Sequence, residues 1–213
     1  MRDSVRWGLI GGLLFLAFGL AATIISLIDS PDFDAGGGRI QEYFEDRTAA
    51  IVISSILYGL ASFAFAFFLG TFRAVLKSAE GGAGILSSIS MGAGFAGVAL
   101  LSASTGATWA AVMRADDNEL SKDSAQTLFD LGGALYVFAH PLIGAFMVAS
   151  GAVIIQTGML PKWLGWIGVG TGILLVCPFI SWAVFALVPI WVAAVSVILL
   201  DRGERLSVDR GGV

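Results

Sequence analysis

The chain has 213 residues, 57% of them hydrophobic and only 13% charged, with a formal net charge of −4. Soluble domains carry about 25% charged residues, so composition argues against a water-soluble fold, and the acidic balance argues against nucleic-acid binding. The one cysteine, Cys177, cannot form an internal disulfide.

Six apolar stretches follow one another: Trp7 to Ile28, Ala49 to Gly70, Gly84 to Val112, Leu128 to Gln156, Trp163 to Phe179 and Ser181 to Leu200. A hydrocarbon core about 30 Å thick needs roughly 20 apolar helical residues to cross it. Every backbone polar group must then be bonded inside the segment. The 28 glycines lie mostly within these stretches, as transmembrane helices tolerate. The prediction is an all-α, polytopic membrane helical bundle of six transmembrane helices, with residues 1–213 forming a single integral membrane domain. The first stretch follows Arg2 and Arg6 as a signal peptide would. It exceeds the roughly 7 to 15 residues of a signal's apolar region and lacks a clear small-x-small cleavage site, so it is read as an uncleaved span.

The loop from Asp29 to Thr48 passes a Pro and Asp turn and three glycines, then places Ile40, Tyr43, Phe44 and Arg47 at helical spacing. That pattern predicts a short interfacial helix whose aromatics either anchor at headgroup level or form a lid over an external cavity. The acidic loop from Arg114 to Thr127 offers Ser121, Asp123 and Ser124 to cap span four. Spans five and six have no charge between them, and Pro178 supplies the break. A hairpin turning near Cys177, Pro178 and Ser181 is expected. Its first leg is short, which leaves a small tilt or an incomplete dip into the bilayer as alternatives.

Positively charged loops resist translocation. Arg2, Arg6, Arg73, Lys77, Lys162, Arg202, Arg205 and Arg210 fall on one side, and Arg39, Arg47, Arg114 and Lys122 fall on the other among many acids. Both termini are therefore expected to be cytoplasmic.

The segment Leu160, Pro161, Lys162, Trp163, Leu164, Gly165, Trp166, followed by an apolar hairpin ending in Asp201 and Arg202, resembles the closing hairpin of an uncharacterised family of bacterial six-helix membrane proteins. The likeness covers roughly Ala49 to Arg202 in hydropathy and loop pattern, and only Leu160 to Trp166 in specific residues. It implies the fold and a bacterial cytoplasmic (inner) membrane home, and it brings no activity. Physically, Pro161 starts a helix, Lys162 faces the cytoplasm, and Trp163 and Trp166 sit at headgroup depth.

Gly92, Gly94 and Gly97 spell a dinucleotide fingerprint without its strand or βαβ unit. Close helix packing is the better account, as for Gly8 with Gly12 and Gly168 with Gly172. Such faces also suit a homo-oligomer or a membrane-protein partner beside the lipid bilayer. Ser55, Tyr58 and Ser62 of span two and Ser102, Ser104, Thr105 and Thr108 of span three read as packing seams, with a hydrated path as the lesser alternative.

Span four holds the only histidine. His140 lies ten residues beyond Asp130, about 15 Å deeper along a helix, near mid-membrane. A titratable group at that depth is a functional candidate by default. Pro141 frees the carbonyl of Val137. Tyr136, one turn back, can orient the imidazole. The candidate intramembrane polar site is therefore His140, Tyr136 and Asp130, against the plain alternative of a packed core histidine.

No cofactor is expected. One His and one Cys do not make a zinc site, a single His cannot form bis-histidine haem ligation, and Lys77, Lys122 and Lys162 lie too near span ends for a retinal Schiff base. No catalytic or metal-binding set emerges. The sequence favours a non-enzymatic scaffold, accessory or regulatory subunit, with a small transporter or channel around His140 second and an intramembrane enzyme third.

Overall fold

The computed structural model describes residues 3–32, 34–117 and 119–211, with side chains from Val5 to Arg202. Arg2 lies outside the described residues, as do the side chains of Arg205 and Arg210. Among the described residues the regular structure is entirely helical: α1 (Asp3–Ser26), α2 (Gly37–Asp46), α3 (Thr48–Glu80), α4 (Ile85–Asp116), α5 (Lys122–Thr157), α6 (Lys162–Leu174), α7 (Pro178–Val184) and α8 (Leu187–Gly211).

Four of these, α3, α4, α5 and the Val5–Ser26 part of α1, are long and apolar enough to cross a membrane. They coincide with the first four predicted spans. Their outward faces expose Ile24, Phe63, Phe67 and Phe138, a surface suited to hydrocarbon rather than water. The long helices exceed the roughly 20 residues that a crossing needs. α5 has 36 residues, about 54 Å at 1.5 Å per residue.

In the last third the first leg is short, as the sequence suggested, and α7 with α8 forms a bent pair long and apolar enough together for a broken crossing or a re-entrant loop. α6 has only 13 residues and stops at Leu174, about 20 Å of helix, where the sequence predicted a span to Phe179. Pro178, the predicted break, opens α7 instead, where its missing N–H costs nothing. α7 then bends by 43° into α8. The three helices form a hairpin that turns back beside the middle of α5. Trp191 on α8 closes it by donating its indole N–H to the Leu164 carbonyl at 2.8 Å, and Arg202 donates to the Met159 carbonyl at the open end.

Glycine makes the hairpin's contact with α5 close. A methyl built on Gly144 would stand 2.5 Å from the Gly172 carbonyl, and one on Gly172 would stand 2.5 Å from the Gly144 carbonyl. One coil further along, Gly151 and Gly165 face each other in the same way, at 2.5 and 2.9 Å. The seam expected at Gly168 and Gly172 is therefore real at Gly172, and its partners Gly144 and Gly151 lie on α5. Gly168 belongs to it as well: a methyl there would stand 3.3 Å from the Met147 carbonyl of α5 and 3.2 Å from the indole of Trp191. Gly8 and Gly12 also pack tightly, against Thr71 of α3 and Ser196 of α8.

Two apolar cores result. The larger joins Phe65, Phe68 and Phe72 of α3, Phe146 and Met147 of α5 and Trp191 of α8. Its rings interlock, with Phe68 stacked on Phe72 at 5.0 Å and Trp191 edge-on to Phe146 at 6.0 Å. The smaller lies at the other end, where Ile40, Tyr43 and Phe44 of α2 pack on Ala111, Val112 and Ala125 of α4 and α5. The predicted short helix thus exists, and its aromatics are buried in the bundle rather than anchored at headgroup level. Arg47 pins its end to Asp29 at 2.6 Å.

Past Gly70, α3 carries Arg73, Lys77 and Glu80 beyond its apolar span. Both carboxylate oxygens of Glu80 accept amide protons from the start of α4, Leu86 and Ser87, at 2.9 Å each. Desolvation pushes this carboxyl up, but the Ser87 and Leu86 amides together pull harder and hold it below its ordinary 4.5.

Two outcomes are expected in detergent melts. Gly144→Ala should destabilise by about 1–3 kcal/mol, the usual cost of overpacking, whereas Gly170→Ala, with no neighbour within 4 Å, should be near neutral. Equal melting of the two would remove the glycine seam. Glu80→Gln should lower the melting temperature at neutral pH. Because the folded carboxyl titrates below the unfolded one, its contribution is present above the unfolded pKa and is lost as pH falls, so the gap between Glu80→Gln and the parent should close between about pH 5 and 3. A gap independent of pH would refute the charged cap.

Candidate functional site

His140 lies at the midpoint of α5, 18 positions after Lys122 and 17 before Thr157. It is fully buried. The turn of the hairpin meets it there, with its Nδ1 2.8 Å from the Oγ of Ser181 on α7. Ser181 Oγ also lies 3.4 Å from the Pro178 carbonyl, so its one proton goes to that carbonyl when Nδ1 carries a proton and to Nδ1 when Nε2 does. Nε2 is buried with no partner.

Aromatic rings wall the imidazole. Phe185 stacks on it at 4.8 Å and Tyr136 stands edge-on at 4.5 Å. Tyr136 therefore touches the histidine through its ring, at the i, i+4 spacing read from the sequence, while the hydrogen bond comes from Ser181. Asp130 does not join them. It is exposed and accepts from Gln126 one turn back at 3.3 Å.

Ser181 is the residue that sequence reasoning missed. It was visible only as part of a turn, and its meeting with His140 depends on where α6 stops. A hydroxyl beside an imidazole has the spacing of a nucleophile and its base, but Ser181 is 1% exposed and His140 0%, which leaves a substrate no approach to either atom. The pair is a clasp between α5 and the hairpin.

The other span hydroxyls behave as packing links. Ser90 meets Ser150 at 2.8 Å, Ser104 donates to the Gly132 carbonyl at 2.8 Å, and Tyr58 meets Thr23 and Ser26 at 3.1 and 3.2 Å. Thr105 and Thr108 donate to their own helix carbonyls. Among the described residues no group of three or more His, Cys, Asp or Glu is placed to hold a metal ion. The Gly92, Gly94 and Gly97 triplet splits across α4: Gly94 packs on Leu69 and Gly97 on Ile143, while Gly92 faces open space.

That open face continues. Gly92, Ala96, Ala99, Ala103, Gly106 and Ala110 recur at alternating intervals of four and three, and all six are exposed. A seam of this kind lets a second backbone come close. It was legible as Gly and Ala at heptad spacing, but the fingerprint-like triplet cuts across it.

No protein-family model, curated protein or solved structure matches the chain.

Removing one member of the clasp should cost more than its share. Ser181→Ala leaves both imidazole nitrogens unpaired in a dry site, worth about 1–3 kcal/mol. In the His140→Leu background the same Ser181→Ala change should cost much less. Melting the two single variants and the double variant gives the coupling, and strictly additive losses would dissolve the clasp.

Proposed function

We propose that the protein is an integral membrane protein of a bacterial inner membrane, with both termini cytoplasmic, and that it acts as a non-enzymatic accessory or regulatory subunit. Its six apolar segments would comprise four full crossings and a hairpin, α6 to α8, that dips to mid-depth and returns. The eight-to-four split of basic residues supports the orientation, and a dipping hairpin keeps Lys162 and Arg202 on the same side. The likeness of Leu160 to Trp166 to the six-helix family agrees with this arrangement.

The observation that carries the accessory reading is the outward face of α4. The middle of α4 presents glycine and alanine along this exposed seam, flanked by exposed Phe95, Ser102 and Trp109, whereas Phe63, Phe138 and Phe179 turn outward on the other helices. Small residues spread over five turns give van der Waals contact to another helix and little to mobile chains. That helix would belong to a membrane partner or a second copy.

A transporter is the second reading, favoured by the unpartnered Nε2 of His140 at mid-depth. Against it, the interlocked rings of Phe65, Phe68, Phe72, Phe146 and Trp191 fill the half of the bundle that a solute would have to cross.

Replacing Ala99 and Ala103 together by Trp tests the reading. After gentle solubilisation of native membranes the parent should migrate as an assembly larger than one chain and the double variant should not, while the purified protein melts unchanged, because both positions are exposed. An assembly of unchanged size would overturn the accessory role. Proton flux into proteoliposomes that His140→Gln abolishes would establish the transporter instead.

A further inference from the structure

The glycine contacts that draw α6 onto α5 leave short side chains on their flank. There, Pro141, Ala145 and Val148 of α5 and Gly172, Ile173 and Val176 border an open, apolar groove of about 530 Å³. The groove opens sideways, toward the surface that carries exposed Trp166 and Ile173. It runs along the helices rather than into the bundle, and its deep end lies beside the hairpin turn at Cys177.

Beyond its other end, toward the start of α6, stands a charge. Lys162, Trp166, Val169 and Ile173 follow one another on α6 at intervals of four, three and four, so they share one edge of the helix, the edge whose last member, Ile173, lines the groove. Lys162 stands at the opening of α6 and is exposed. From Lys162 to Ile173 is 11 residues, about 16 Å, and half of a 30 Å hydrocarbon core is about 15 Å. An ammonium at headgroup level, an indole one turn deeper and an apolar trough reaching the bilayer midplane follow the layout of a phospholipid: phosphate, ester linkage and acyl chain.

We propose that the α5–α6 groove binds one acyl chain of an anionic phospholipid, with its phosphate on Lys162 and its glycerol ester region beside Trp166. The charge selects the headgroup. The groove selects a chain over a protein helix, because it is bounded to about two turns of α5, from Pro141 to Val148, too little length to seat a helix against. Membrane embedding underlies the assignment; the accessory role does not, and in symmetric vesicles neither does the orientation.

The test uses the full chain in phosphatidylcholine vesicles with a trace of phosphatidylglycerol or phosphatidylcholine spin-labelled near the chain end. The motionally restricted signal should favour the phosphatidylglycerol probe. Lys162→Gln should reduce that preference by about fivefold, the effect of one lysine near an anionic surface. Lys77→Gln, at the end of α3 away from the groove, should leave it unchanged. Ala145→Phe, or Ala145→Met should the first variant melt early, should remove the restricted chain by filling the trough. Equal restriction of the two probes by the parent protein would overturn the site, as would equal losses in Lys162→Gln and Lys77→Gln, which would indicate diffuse surface charge. Retention of the restricted chain in the filled variant would also overturn it, and dispersal of dimers by that variant would assign the groove to a second copy.

Discussion

The approach of two backbones at Gly144 and Gly172 is the constraint on which the rest of the architecture hangs. Each glycine leaves room for the other's carbonyl at 2.5 Å from where a methyl would sit, so α6 lies on α5 with almost no side chain between. Seven residues along, Gly151 and Gly165 repeat the contact and fix the rotation of the short helix against α5. Close Cα–H to carbonyl contacts are weak one by one. In a bilayer they matter because lipid offers no hydrophobic drive for helices to associate.

Register then sets depth. With α6 locked to α5, its end at Leu174 falls near the level of His140, and the chain must turn there. α7 delivers Ser181 to the imidazole and Phe185 to its face, and α8 returns with Trp191 reaching back to Leu164. The same pairing that buries glycine on one flank leaves a trough on the other. Clasp, hairpin and groove are three consequences of one close approach.

The first four helices were legible because uninterrupted apolar stretches of bilayer length have few other uses. Their ends were less so. α3 and α5 run past the apolar residues into charged ones, where continued helix is stabilised by local caps such as Ser121 with Ser124 rather than by hydropathy. The last two spans misled on length, since hydropathy measures what a segment tolerates and not how far it reaches. Cys177 and Pro178 marked the turn correctly. Nothing in composition could say that Gly172, five residues earlier, already lay against Gly144 on α5. His140 and Tyr136 were legible from spacing. Ser181 was not, because its role is set by tertiary register, and Asp130, ten helical positions from His140, stays apart from the pair.

A polar pair at the driest level of the bundle needs a reason, because an apolar pair of equal shape would be about as stable or more so. Register supplies one. The glycine seam alone would tolerate α6 slipped by a turn along α5, since glycines and alanines recur on both helices, at Gly144, Ala145, Gly151 and Ala152 on one and at Gly165, Gly168 and Gly172 on the other. A slipped hairpin would bury His140 with neither nitrogen paired and Ser181 with no imidazole, each about 1–3 kcal/mol worse. The clasp adds little to the depth of the native state and much to its separation from near neighbours, as single buried polar residues do in coiled coils. On this account the unpartnered Nε2 is the residual cost of using an imidazole for that task, and the two rings packed against it keep the site dry.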